Sequence, residues 1–256
     1  MKIVFDNALQ YKVNEIYVTI FDRTPEQLKL IELLSEWGFI EHGTKHTSTA
    51  QEKVFVRDFS TKVNLTNPKL TFPYISRAAN VFFVPIWPDY HTELLPDSIL
   101  NNESPANFVE NQPHRNALSK VYISHSHERN LQPGDIILFY RTGGYYVSVA
   151  TTLGIVEKVH DPVSSIEELF EICRKKTFFT HEQLQKFWDR YKTMKPFVVE
   201  FLYAYSLPKR PNLERLIQLQ IIKDTASVPR GFHKISWDDL LLILKESKSN
   251  ESIVVN

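Results

Sequence analysis

Cysteine occurs once among 256 residues, as Cys173, which excludes an internal disulfide and any thiolate-rich metal site. Glycine is scarce as well, with seven residues and none before Gly38, so the first 37 positions hold no glycine-rich phosphate loop. No run approaches the ~20 consecutive apolar residues that span a bilayer. The opening residues, from Met1 to Asp6, lack the basic and apolar regions of a secretory signal. Neither sign of charge dominates: Lys plus Arg and Asp plus Glu each number 30, so an anion-binding surface has to come from local clustering. With its single thiol, the chain is expected in a reducing cytoplasm, away from membranes. Apolar residues make up 43% of the chain, including 17 Phe, 11 Tyr and 4 Trp, enough for one large or two modest cores.

The first 60 residues read as a short α/β unit. Val4, Phe5, Ala8 and Leu9 mark one face of a helix. Residues 15–21 (EIYVTIF) are apolar on both faces, which predicts a central strand. Thr24-Pro25-Glu26-Gln27 offers an N-cap hydroxyl, proline at the first helical position and a capping-box glutamine. Leu30, Leu33, Leu34 and Trp37 form the stripe of that helix, and Gly38 supplies its left-handed stop. Strands are predicted over 39–41 and 52–59. This succession, with Trp37-Gly38-Phe39, resembles the second half of an acetyltransferase domain of the GNAT family. The resemblance implies acetyl-CoA as cofactor, but the pyrophosphate loop that precedes the first helix in that family is missing. Leu34 stands where the family often keeps a tyrosine general acid. The unit therefore reads as a degenerate or truncated half-domain, whose cofactor-binding half lies upstream or on another chain. Alternatively it serves as a dimerisation or docking layer.

Residues 61–80 read as a polar linker, 81–246 as a second domain and 247–256 as a flexible tail. Strands are predicted over 81–86 (VFFVPI), 120–124 (KVYIS), 136–140 (IILFY), 147–159, bent at Gly154, and 197–205 (FVVEFLYAY). Helices capped at Ser165 and Thr180 separate the last two strands, and helices over 212–219 and 236–245 close the chain. The fold class is α+β, a small β-barrel with inserted helices preceded by the α/β half-unit. Gly134-Asp135 with Ile137, Phe139 and Tyr140, then residues 153–159 (LGIVEKV), resemble the paired signature of EVE domains. Leu207-Pro208-Lys209-Arg210-Pro211 and Phe232-His233-Lys234-Ile235-Ser236 extend the likeness. It implies a PUA-like barrel of the EVE/ASCH kind, a fold that binds RNA or modified bases in DNA and recurs in bacterial and phage conflict systems. Pro113-His114-Arg115-Asn116 replaces the Trp-x-Gly-Val-Arg-Asn stretch of EVE domains, and the Gly-x-Lys-x-x-Glu-x-Arg motif of ASCH domains is absent.

A base-binding pocket needs aromatic faces and a few polar groups for the base edge. Trp87, Tyr90, Tyr122, Tyr145 and Tyr146 fall at strand ends and turns, where barrel packing is the competing explanation. In the dense triplet His114, Arg115 and Asn116, Arg115 suits a phosphate and Asn116 a base edge, against a plain solvated loop. Ser124 and His125 are expected to face Arg141 and Thr142 if their strands pair. Residues 174–195 are locally basic, a solvated helix face being the simpler reading. His125-x-His127 and His42-x-x-x-His46 have metal-compatible spacing but no third ligand nearby. The sequence thus points to a nucleic-acid reader without cofactor or catalytic set. Its rivals are an acetyl-CoA-dependent acyltransferase subunit and a structural adaptor.

Overall fold

The computed structural model of the chain describes residues 1–46, 50–60, 62–100 and 112–255. Helix α1 (Lys2–Tyr11) buries Phe5, Ala8 and Leu9 and leads into strand β1 (Glu15–Ile20). At the start of helix α2 (Pro25–Glu36), Thr24 Oγ1 accepts from the Gln27 amide at 3.3 Å and Gln27 Oε1 accepts from the Thr24 amide at 3.0 Å. This is the capping box that the sequence predicts. Gly38, at φ +78°, ends the helix as expected. Strands β2 (Ile40–His46) and β3 (Gln51–Asp58) complete an antiparallel sheet of order β1-β3-β2.

The central strand is therefore β3, and β1 is an edge, contrary to the sequence expectation. Phe55 and Arg57 of β3 are each 2% exposed, whereas Tyr17 of β1 is 73% exposed. Apolar residues on the uncovered face of an edge strand look, in sequence, like those of a strand buried on both sides.

Six strands build the second sheet: β5 (Val81–Ile86), β6 (Ser119–Ser124), β7 (Ile136–Arg141), β8 (Val149–His160), β9 (Phe197–Ser206) and β10 (His233–Ile235). Their order is β10-β5-β7-β8-β9-β6, with β5 and β7 parallel and every other pair antiparallel. The sheet curls until its two edges meet. There the Phe232 amide donates to Ser126 Oγ at 3.2 Å, and Tyr122 and Phe232 pack with ring centroids 5.7 Å apart. Alternation along each strand divides the side chains between two cores. Ile137 and Phe139 of β7 point inward with Phe82, Val84, Val156, Phe201 and Phe232. Ile136, Leu138 and Tyr140 point outward, where helices α7 (Leu213–Gln218) and α8 (Trp237–Glu246) cover them. Helices α5 (Ile166–Cys173) and α6 (His181–Asp189), capped at Ser165 and Thr180 as predicted, cover the outer side of β6 and β9 around Val121, Ile123 and Val198. Cys173 is buried in that layer, and burial pushes its thiol up to about 12. Gly154 lies where the β8–β9 register shifts, and a Cβ there would come within 2.7 Å of the Phe201 ring.

Two segments differ from their sequence reading. Within the predicted linker, Phe72 and Ile75 are each 1% exposed, and a 3₁₀ turn, Pro68–Thr71, precedes strand β4 (Ile75–Ser76). The predicted tail is packed too. Ser247 and Ile253 are fully buried, and strand β11 (Val254–Val255) pairs in parallel with β4. Scattered single apolar residues set these segments down against the cores, and such contacts have no periodicity for sequence reading to detect.

Candidate nucleic-acid interface

Parallel strands β5 and β7 end side by side, with Ile86 opposite Arg141. The Thr142 amide then donates to the Ile86 carbonyl at 2.9 Å and holds the two exits together. From β5 the chain passes through Trp87 into helix α3 (Pro88–Leu94), and from β7 it passes into Gly143-Gly144-Tyr145-Tyr146. Both exits carry aromatic rings in solvent: Trp87 is 70%, Tyr145 39% and Tyr146 69% exposed. The two tyrosines pack edge to face at 4.9 Å. Gly143 and Gly144, at φ +155° and +105°, turn the chain where a side chain would be strained. Ser148 closes this loop, its Oγ accepting from the Gly144 amide at 2.9 Å. Arg141, 8% exposed, braces it by donating to the Val147 carbonyl at 3.3 Å.

Beneath this end lies a polar layer that sequence reading did not find. His91 of α3 is fully buried, with Nε2 3.0 Å from Thr151 Oγ1 and no hydrogen-bond partner for Nδ1 among the described residues. Burial, with the Arg141 and Arg210 charges, brings its pKa down to about 3, so the ring is neutral at physiological pH. Thr152 Oγ1 donates to Ser98 Oγ at 2.6 Å, and Ser98 in turn contacts Tyr203 Oη at 3.2 Å and Ser206 Oγ at 2.8 Å. Hydroxyls at strand positions facing a barrel interior have no sequence signature apart from alternation, and Thr151-Thr152 within the apolar first half of β8 is the one hint.

Helix α3 also organises the remaining predicted residues. Tyr90 packs into an aromatic layer with Phe179 at 5.0 Å and Phe178 at 5.7 Å, and Phe178 contacts His114 at 6.1 Å. His114 and Arg115 belong to helix α4 (Pro113–Asn116) and meet Glu93 at 3.7 and 3.3 Å. Burial is the main cause of the lowered His114 pKa. Asn116 is exposed. Lys120, 2% exposed, ties α4 down by donating to the His114 and Arg115 carbonyls at 2.6 and 3.1 Å, while burial pulls its pKa down to about 8. His125 stacks on Phe187 at an interplanar angle of 6° and meets Tyr191 edge-on at 5.0 Å.

The structure thus gathers Trp87, Arg141, Thr142 and Tyr145 at one barrel end, and Tyr90, His114 and Arg115 around α3. It moves three others, Tyr122, Ser124 and His125, elsewhere. Tyr122 is built into the barrel interior, its hydroxyl donating to the Pro85 carbonyl at 2.7 Å, and burial raises its pKa. Ser124 and His125 do not face Arg141 and Thr142, because β6 pairs with β9 and not with β7; the Ser124 Oγ accepts from the Ser126 amide at 3.0 Å, and His125 lies against Phe187 of α6. Two clefts open away from these residues. One of about 350 Å³ is lined by Lys2, Asp6, Tyr203 and Ser206. The other, of about 750 Å³, lies on the N-terminal sheet between Tyr17, Ile40, Val56 and Leu70. Among the described residues, no three His, Cys, Asp or Glu side chains come together as a metal site, and no helix is long and apolar enough to cross a membrane.

No protein family's sequence profile matches the chain, and no curated protein matches it. Solved structures are similar over about two-thirds of its length. A mutant of the ASCH protein ZmASCH from Zymomonas mobilis is 11% identical, with a TM-score of 0.44, covering 65% of this chain and 95% of its own. A protein of Agrobacterium tumefaciens is 13% identical, with a TM-score of 0.38 and coverage of 68% and 96%. Human THYN1, solved in complex with DNA containing 5-methylcytosine, is 10% identical, with a TM-score of 0.38 and coverage of 67% and 99%.

Proposed function

We propose that this chain is a PUA-like nucleic-acid reader that stacks a single-stranded or extruded base, modified or not, on the end of its barrel. The observation that carries this reading is the pair of adjacent strand exits bearing the exposed rings of Trp87, Tyr145 and Tyr146. A rigid, aromatic, solvent-facing ridge is what sequence-tolerant base stacking requires. Arg115 bonds to Glu93 and Arg141 to the Val147 carbonyl, so both act here by placing α4 and the tyrosine loop. Asn116, exposed at the end of α4, is the side chain suited to a base edge. The test is fluorescence anisotropy with single- and double-stranded oligonucleotides, including modified cytosines, at several salt concentrations. Binding that weakens on removal of the aromatic ridge supports the proposal, and no binding to any oligonucleotide at low salt overturns it.

The N-terminal unit, in this proposal, is a structural layer without acyltransferase chemistry. Leu34, in the place of the family's general acid, is 5% exposed and packed in the core. Titration calorimetry is expected to detect no acetyl-CoA binding; a micromolar site would restore the acyltransferase reading.

A further inference from the structure

We propose that a second copy of this chain pairs with it along β1, joining the two N-terminal sheets into one antiparallel sheet of six strands. Tyr17 and Ile40, each 73% exposed, stand on the uncovered face of the N-terminal sheet, an apolar patch that marks an interface. Strand β1 is an edge of the form EIYVTI, without the lysine, proline or bulge that usually protects an edge. Its even residues face the core: Ile16 and Val18 pack against it and Ile20 is 8% exposed. Its odd residues share the outer face, with Tyr17 in the same cross-strand row as Val56 and Ile40.

The charges choose the partner and the register. When β1 pairs with itself about a twofold axis centred on Thr19, Glu15 falls opposite Arg23, Tyr17 opposite Phe21 and Val18 opposite Ile20. Each dimer then gains two aromatic pairs on the outer face and two acid–base pairs at the ends of the seam, where Arg23 stands in the bend before α2 with its amide donating to Gln27 Oε1 at 2.9 Å. Neither the Glu15 nor the Arg23 side chain has an ion-pair partner among the described residues; Arg23 rests over the Phe21 ring at 4.9 Å. The competing register centred on Tyr17 sets Lys12 opposite Asp22. It sets Glu15 opposite Thr19 and so leaves that charge without a base. Asp22 is in any case engaged with Lys53 at 3.5 Å.

Sedimentation of the full chain at micromolar concentrations tests the arrangement. Wild type is expected to dimerise. Glu15→Arg and Arg23→Glu each replace two attractions by two repulsions and should each weaken dimerisation by about tenfold or more. The double variant E15R/R23E should recover it. An equimolar mixture of the two single variants should form a heterodimer, since each chain then carries the charge the other lacks. Both positions are exposed, and an unchanged circular dichroism spectrum verifies the fold of each variant. A wild-type chain that stays monomeric overturns the proposal and leaves the edge to a different polypeptide. A dimer indifferent to both single substitutions overturns it too, placing the contact on another surface.

Discussion

Trp87 and His91 are one helical turn apart on the same short helix and do opposite things. The Trp87 ring stands in solvent, so its removal takes away stacking area without disturbing the core. Trp87→Ala is expected to cost about 1–3 kcal/mol of oligonucleotide affinity at every salt concentration, leaving the slope of log affinity against log salt unchanged. Anisotropy titrations measure both quantities. His91 has no route to solvent, and its consequence is for stability. Its folded pKa of about 3 lies below the ordinary 6.5, so between those values the unfolded chain binds the extra proton. Stability contributed by the neutral ring is fully present above pH 6.5 and is lost as the pH falls toward 3. One such proton gives a slope of up to about 1.4 kcal/mol per pH unit. Urea midpoints across this range should therefore fall more steeply for wild type than for His91→Gln.

At the scale of elements, the tyrosine loop is held from three sides: the Thr142 amide on the Ile86 carbonyl, the Gly144 amide on Ser148 Oγ and Arg141 on the Val147 carbonyl. Under the proposed function, such bracing lowers the entropic cost of binding a base on these rings. A Cβ added to Gly144, at φ +105°, would meet only Val147, at 3.9 Å, so no neighbouring group obstructs alanine there. The penalty is conformational, about 1 kcal/mol, and falls on the loop alone. Gly144→Ala should therefore weaken oligonucleotide binding while leaving the global denaturation midpoint nearly unchanged, and parallel anisotropy and urea melts separate the two effects.

Across the whole molecule, the N-terminal unit and the barrel share one core. Phe72 meets Phe5 of α1 and Trp37 at the end of α2, both at 5.2 Å, in an apolar cluster that continues to Ile136, Leu138 and Ile155 of the barrel. The Asn250 side-chain amide donates to the Leu9 carbonyl at 3.0 Å, and Lys2 forms an ion pair with Asp97 while resting 4.6 Å above the Tyr203 ring. Unfolding is accordingly expected to be one cooperative transition, with tryptophan fluorescence and far-ultraviolet circular dichroism coincident. Phe72→Ala, which empties the shared centre, should lower stability by about 3–5 kcal/mol. Two separated transitions in wild type would show that the units are energetically independent.

Local chemistry was legible in the sequence. Capping boxes at Thr24 and Thr180, the stop at Gly38 and the predominantly apolar strands 136–140 and 197–205 depend on neighbours along the chain, and each forms where its residues predict. The aromatic ridge was partly legible, since Trp87 beside Pro88 and Tyr145 after Gly143-Gly144 mark exits from strands. Which strands lie together was decided in three dimensions. The partner of β6 is β9, 78 residues further along from Ser119 to Phe197, and that pairing separates Ser124 from Arg141. Hydrogen bonding between distant strands also sets β1 at an edge and β3 at the centre, an order that no one-dimensional pattern encodes. The buried line from His91 through Thr151 and Thr152 to Ser98 and Tyr203 arises the same way: each residue is unremarkable in its own segment, and the curl of the sheet brings them within hydrogen-bonding distance.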